Sequence, residues 1–259
     1  MTNLDTIFTG LNDEQRRAVE TLTGPVLILA GAGSGKTKTI THRIAHLMAK
    51  GVPPWQILAV TFTNKAAGEL KDRIRRILKI ADEGGLDPTH VPTSGTFHSI
   101  CARILRRDIE AIGREKSFVI YDTDDQEKLI QGVLRNRKIA VEELKPKAAM
   151  GEISRWKSEA IFPSEAKIHA TTYRTTLIAD VYHDYQAALK VANALDFDDL
   201  LLETVRLFRE VPDILARYQR TWQFIHVDEY QDTNHVQYLL IQLLANQHRN
   251  LCVIGDPDQ

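Results

Sequence analysis

The sequence predicts an α/β fold with a parallel sheet, interrupted by a mainly helical subdomain. Three observations carry this reading. The apolar runs Val26-Leu27-Ile28-Leu29, Ile57-Leu58-Ala59-Val60, Phe224-Ile225-His226-Val227 and Leu251-Cys252-Val253-Ile254 have the length of buried strands. Helical-period segments separate the first two and the last two, so the runs they join should lie parallel in one sheet. Between about residues 103 and 190 the strand signals largely vanish, and amphipathic segments rich in Lys, Arg, Glu and Gln take over.

Each element follows from local chemistry. Asn12 or Asp13 can cap a helix whose apolar face carries Ala18, Val19 and Leu22, and Gly24-Pro25 ends it. The first strand leads into a helical pattern from Thr39 to Met48, which Gly51-Val52-Pro53-Pro54 stops before the second strand. Ala67, Leu70, Ile74, Ile77 and Leu78 have helical spacing, and a Gly/Pro-rich loop over 84–92 ends that helix. Thr93-Ser94-Gly95-Thr96-Phe97-His98 then precedes a helix-like segment from Ile100 to Ile109. After the helical insertion, helices are expected over 197–208 and 234–244, flanking the third strand.

Composition bounds the classes. A chain of 259 residues, 43% hydrophobic and 26% charged, is long enough for one large core or two smaller ones. Cys101 and Cys252 lie far apart, so neither a disulfide framework nor a zinc site is expected. No apolar stretch has membrane-spanning length and no signal-peptide pattern opens the sequence, so the cytoplasm is the expected location. The net charge of -1 neither supports nor excludes a nucleic-acid partner.

The chemistry centres on Ala30-Gly31-Ala32-Gly33-Ser34-Gly35-Lys36-Thr37. Glycines between a strand and a helix let successive backbone N–H groups, backed by the helix dipole, face a polyphosphate. Lys36 would reach the β/γ-phosphates of ATP, and the Thr37 hydroxyl would ligate Mg²⁺. The strict pattern asks for Gly where Ala30 stands. Asp228-Glu229 closes the third apolar run, at the strand edge where α/β sheets bind ligands. Asp228 suits the Mg²⁺ shell, and Glu229 suits orienting and deprotonating an attacking water. His226, inside that strand, reads as a satisfied core histidine.

Leu11-Asn12 with Gln15, the 30–37 loop, Thr61-Phe62-Thr63-Asn64-Lys65-Ala66-Ala67, Gly95-Thr96-Phe97-His98-Ser99, Phe197-Asp198-Asp199-Leu200 and Val227-Asp228-Glu229-Tyr230-Gln231-Asp232-Thr233 occur in a specific order. That ordered set resembles UvrD/PcrA/Rep-type superfamily 1 DNA helicases over the whole chain, and Ala30 is usual there. The resemblance implies a RecA-like ATP-binding domain over 1–102 and 191–259, with an inserted helical subdomain over 103–190. It implies an ATP-dependent 3′ to 5′ DNA helicase acting on single-stranded DNA and on junctions between single and double strands.

The implied nucleotide contacts are Gln15, which would read the adenine edge, with Ala32, Gly33, Ser34, Gly35, Lys36, Thr37 and Lys38. Lys36, Asp228, Glu229 and Gln259 form the implied catalytic set, Thr37 and Asp228 the metal set. Gln231 would link hydrolysis to the DNA surface, and Gln259 would sense the γ-phosphate. Implied DNA contacts are Phe62, Thr63, Asn64, Thr96, His98 and Phe197.

On the residues alone, Phe62 is open between base stacking and packing, His98 between phosphate contact and helix capping, and Phe97 reads as buried. The basic clusters Arg103-Arg106-Arg107, Arg135-Arg137-Lys138 and Lys145-Lys147 read as solvated faces. The resemblance places completing arginines in a second RecA-like domain missing from this chain, so the chain alone should hydrolyse ATP poorly and not unwind DNA. Two other readings are a different P-loop phosphotransferase and a non-catalytic nucleic-acid or partner-binding fragment.

Overall fold

The structure, a computed structural model, describes residues 7–78 and 91–258. In chain order the first elements are α1 (Asp13–Glu20), β1 (Val26–Leu29), α2 (Lys36–Ala49), β2 (Ile57–Thr61), α3 (Asn64–Leu78), β3 (Thr93–Thr96) and α4 (Phe97–Asp108). Next come β4 (Val119–Ile120), α5 (Thr123–Asn136), α6 (Pro146–Ser158), α7 (Ala166–His169), α8 (Tyr173–Val191) and β5 (Ala194–Leu195). The last are α9 (Asp199–Glu210), α10 (Pro212–Thr221), β6 (Phe224–Val227), α11 (His235–Ala245) and β7 (Leu251–Gly255). The described residues form two compact units, one of residues up to 100 with 215–233 and 241–258, the other of 101–214 with 234–240.

The first unit is built on a five-stranded sheet in the order β1-β7-β6-β2-β3, every neighbouring pair parallel. The interior strand β2 is buried at every position, as a near-continuous apolar run covered on both faces should be. Ile40, Ile44 and Leu47 of α2 and Leu70 and Ile74 of α3 share a core with Ile57, Ala59 and Ile254, which fixes both helices on one side of the sheet.

Beyond two strand ends the ladder continues for one residue: the Ala30 N–H donates to the Gly255 carbonyl and the Asp228 N–H to the Val60 carbonyl, both at 3.0 Å. All C-terminal strand ends, and the loops leaving them, therefore lie along one edge. β1 is an edge strand: Val26 and Ile28 turn inward while Leu27 and Leu29 remain 61% and 62% exposed.

Several elements differ from the sequence expectation, β3 and α10 foremost. Thr93-Ser94-Gly95-Thr96 carries no apolar run, yet it is a strand, because β2 supplies its hydrogen-bond partners in the register Leu58↔Thr93 to Thr61↔Thr96. Helix α10 had no predicted counterpart, although Pro212 at its first position is an ordinary helix-start signal.

In the second unit α5, α6 and α8 share a core containing Ile130, Leu134, Ile153, Trp156, Tyr182 and Tyr185. The expected insertion, 103–190, falls inside this unit, which begins at 101 and runs on to 214. The extension has a physical cause: Asp199, at the start of α9, is ion-paired to Lys157 of α6, so 191–214 packs with the helices. The short strands β4 and β5 pair parallel within it. Among the described residues no helix is long and apolar enough to cross a membrane.

Candidate functional site

The glycines of the 30–37 loop are placed by conformation. Gly33 and Gly35 take φ of 74° and 89°, in the region that disfavours side chains, and Gly35 is the residue from which α2 starts. The Ser34 hydroxyl donates to the Gly31 carbonyl at 2.6 Å, closing the turn on itself.

Gln15 supports the loop from outside. Asn12 caps α1 and exchanges two hydrogen bonds with Gln15, and the Gln15 Nε2 donates to the Ser34 carbonyl at 2.8 Å. Both ends of the Gln15 amide are thus engaged, so an adenine edge would exchange with these bonds. The Lys38 ammonium donates to the Gly10 carbonyl.

An open cavity of about 400 Å³ is lined by Ala32, Gly33, Gly35, Lys36, Thr37, Lys38, Arg73 and Glu229. Sequence reasoning missed Arg73. Its spacing on α3 marks only a solvated helix position, and its one described partner is Glu69 at 3.7 Å. A cavity of about 520 Å³ in the other unit, with Arg114, Gln186, Lys190 and Arg206 among its residues, contains none of the predicted site residues. The loop cavity is the one whose donors match a polyphosphate.

Lys36 Nζ lies 3.2 Å from Glu229 Oε2 and 3.5 Å from Asp256 Oδ2. Burial lowers its basicity, but the Glu229 hydrogen bond and the charges of Glu229 and Asp256 outweigh this and hold the ammonium above its ordinary value. Asp228 moves up from the ordinary carboxylate range, first through burial and then through the Glu229 charge, against smaller lowering effects of the Glu229 backbone and Lys36.

Gln231 ties the cluster together. Its Nε2 donates to Glu229 Oε2 at 2.8 Å, and its Oε1 accepts from the Asp256 N–H at 3.0 Å. Glu229 itself sits at φ 51°, a left-handed conformation that costs a non-glycine residue about 1–2 kcal/mol.

Among the described residues no three His, Cys, Asp or Glu side chains form a metal cage. Here Glu229 and Asp256 share the Lys36 ammonium, Asp228 feels the same charge from beside Glu229, and Thr37 adds a hydroxyl to the cavity wall. Hard oxygen donors with excess negative charge fit Mg²⁺, which takes one or two protein oxygens and fills its shell with water and substrate phosphate. Gln259 lies outside the described residues.

The predicted DNA residues divide. Phe62 is 53% exposed at the end of β2, with Thr63 and Asn64 exposed beside it. The Thr63 hydroxyl accepts from the Ala66 N–H at 3.1 Å and so starts α3. Thr96 does the same for α4, accepting from the Ser99 N–H at 3.2 Å, so the capping role considered for His98 belongs to Thr96. Burial pushes His98 down to about 4, so at neutral pH it offers a neutral ring rather than a cation. Phe97 is buried as expected.

Phe197 belongs to the second unit and is 53% exposed. The basic clusters there are partly compensated: Arg137 Nε lies 2.6 Å from Asp184 Oδ2, and Arg106 stacks on Phe118 at 3.7 Å. His226 is buried in β6 as expected, but it is not satisfied. Among the described residues neither ring nitrogen makes a hydrogen bond of ordinary geometry, and burial followed by the Arg43 charge pushes the ring down to about 3, the Leu58 backbone offsetting only part of this.

Comparison with known proteins identifies a family. The description of the UvrD/REP helicase N-terminal domain matches residues 11–259. The chain is 50% identical over 254 residues to an ATP-dependent DNA helicase PcrA of Bacillus subtilis (strain 168), covering 98% of this chain and 33% of that protein. It is 48% identical over 257 residues to the ATP-dependent DNA helicase PcrA of Staphylococcus aureus (strain Mu50), covering 99% of this chain and 34% of that protein. The chain thus spans about a third of the length of the curated relatives it matches.

Proposed function

The chain belongs to the UvrD/REP helicase family, matching its N-terminal domain, and from that premise we propose that it supplies the ATP-binding half of a DNA translocase. In this reading a RecA-like domain over 1–102 and 191–259 carries an inserted helical subdomain over 103–190. The whole protein is an ATP-dependent helicase that moves 3′ to 5′ on single-stranded DNA, engages junctions with duplex, and works in the cytoplasm. The observation that carries the reading is Lys36, poised between Glu229 and Asp256 on the wall of a cavity floored by a glycine loop.

The chain's own residues account for binding and positioning. Backbone N–H groups of 32–37 face the β- and γ-phosphates, and Lys36 transfers its ammonium from Glu229 to the incoming phosphate oxygens. That exchange frees the Glu229 carboxylate. Glu229 then accepts the proton of a water aligned with the γ-phosphate, held in place by Gln231. Thr37 and Asp228 would hold Mg²⁺, which supplies neutralisation of phosphate charge when bound. Gln259 completes the set as a γ-phosphate sensor. On the DNA side, Phe62 and Phe197 offer stacking faces, while Thr63, Asn64, Thr96 and His98 contact the backbone.

Measured alone, the 259-residue chain should hydrolyse ATP slowly and not unwind DNA. The arginines that the family resemblance assigns to the transition state belong to another RecA-like domain, and such a residue contributes about 10³- to 10⁵-fold. The test is titration of the purified chain with Mg·ATP and with oligothymidylate, alongside a turnover assay. Binding of both, with nucleotide affinity lost in Lys36→Ala, is expected. Nucleotide affinity unchanged by Lys36→Ala would defeat the site assignment, and robust DNA-stimulated turnover would defeat the claim of slow hydrolysis.

A further inference from the structure

The second unit contains a buried charge network that the nucleotide chemistry does not use. Lys157 of α6 is 0% exposed. Its Nζ lies 2.5 Å from Asp196 Oδ2, 2.7 Å from Asp199 Oδ1 and 3.2 Å from Gln186 Oε1. Those three acceptors use all three ammonium donors. The Tyr185 hydroxyl donates to Asp196 at 2.9 Å, and Gln186 Nε2 donates to Asp199 at 3.0 Å.

The two carboxylates then close the turn between them. The Asp196 N–H donates to Asp199 Oδ2 at 3.1 Å, and the Asp199 N–H donates to Asp196 Oδ1 at 2.8 Å. Phe197 is the exposed residue of that turn, 53% accessible above two acids that are 2% and 0% accessible. Burial, with the Asp196 charge added, holds Asp199 above the ordinary carboxylate range against the lowering effect of Lys157.

Stability alone does not explain the arrangement. Apolar residues of similar volume often replace a buried ion pair at no cost, whereas fully coordinated buried charges restrict a segment to one geometry. We propose that Lys157 is a positioning residue for DNA binding: it holds Asp196 and Asp199 so that their turn presents Phe197 to a base of single-stranded DNA. The proposal rests on the reading of Phe197 as a DNA contact, and the test separates the two.

Oligothymidylate affinity of the chain is measured by fluorescence anisotropy for wild type, Phe197→Ala, Lys157→Met and the double variant. Gln186→Leu is the milder variant that carries the same comparison if Lys157→Met does not fold. Phe197→Ala should weaken binding about fivefold to a hundredfold, the range for losing one stacked base. Lys157→Met, or Gln186→Leu in its place, should weaken it at least about threefold when Phe197 is present and less than about 1.5-fold in the Phe197→Ala background. Equal weakening in both backgrounds would mean a merely structural role and overturn the proposal. A Phe197→Ala loss with no effect of either network variant would overturn it while leaving the DNA contact standing. No loss in Phe197→Ala would remove the contact and the proposal together.

Discussion

Replacing Gly35 by Ala tests how the phosphate loop is held. At φ 89° a methyl group meets backbone strain of about 1–2 kcal/mol that no neighbour can relieve. The new Cβ would also stand 2.8 Å from Gln15 Nε2, the far end of a flexible side chain. Gln15 can swing away, but only by giving up its 2.8 Å hydrogen bond to the Ser34 carbonyl, a loss of about 0.5–1.5 kcal/mol. Gly35→Ala should therefore cost about 1.5–3.5 kcal/mol. In a Gln15→Ala background only the strain remains, about 1–2 kcal/mol.

The assay is urea unfolding of the four proteins of this cycle, followed by tryptophan fluorescence, with ATP-analogue affinity measured in parallel. The coupling between the two substitutions should be about 0.5–1.5 kcal/mol, the double variant being less destabilised than the sum of the two single ones because the Gln15 bond to Ser34 is lost only once. Strict additivity would show that Gln15 does not brace the loop. A Gly35→Ala protein as stable as wild type and as tight for nucleotide would refute the conformational argument altogether.

Other outcomes follow from the same geometry. Phe62→Ala should weaken oligothymidylate binding about fivefold to a hundredfold in an anisotropy titration, while the urea midpoint stays within error because the ring is half exposed. Gln231→Ala removes the bonds to Glu229 and Asp256, with a longer one to Asp232, and orphans the Asp256 N–H, so urea unfolding should show a loss of about 1–3 kcal/mol. His226 has a folded pKa of about 3 against an ordinary 6.5, so the unfolded chain takes the proton first and stability falls as pH drops below about 6.5. Denaturation at pH 7 and pH 5 should show His226→Leu losing about 2 kcal/mol less than wild type between those values.

Much of this site is legible in sequence because its chemistry is local. Gly35-Lys36-Thr37 needs only the strand before it and the helix after it, and Asp228-Glu229 needs only the apolar run that ends at Val227. What stayed hidden depends on distant partners. Thr93-Ser94-Gly95-Thr96 becomes a strand because β2 pairs with it, and its own residues carry no apolar signal. Arg73 looks like any solvated helix arginine until α3 brings it to the cavity. Lys157, Asp196 and Asp199 carry no pairing signal in the sequence, since only the packing of α6, α8 and α9 shows that they compensate one another in the core. Leu27 and Leu29 err the other way: apolar in sequence, they lie on the edge strand and stay exposed among the described residues.

The strand order also sets a timetable for synthesis. β1 launches the phosphate loop, yet among the described residues its sheet neighbour is β7 alone. Gly24, just before β1, is hydrogen-bonded to Asn250 across 226 positions of chain. At ribosomal speeds of about 5–20 residues per second, the loop's strand waits on the order of 10–45 s for its mate to be made. During that interval the helices of the second unit, with their nearer contacts, can already close around Trp156 and Tyr182. Competence to hold nucleotide thus waits for β7, which is made after the helices of the second unit, and a nascent chain that captures ATP earlier would have to build its sheet in some other order.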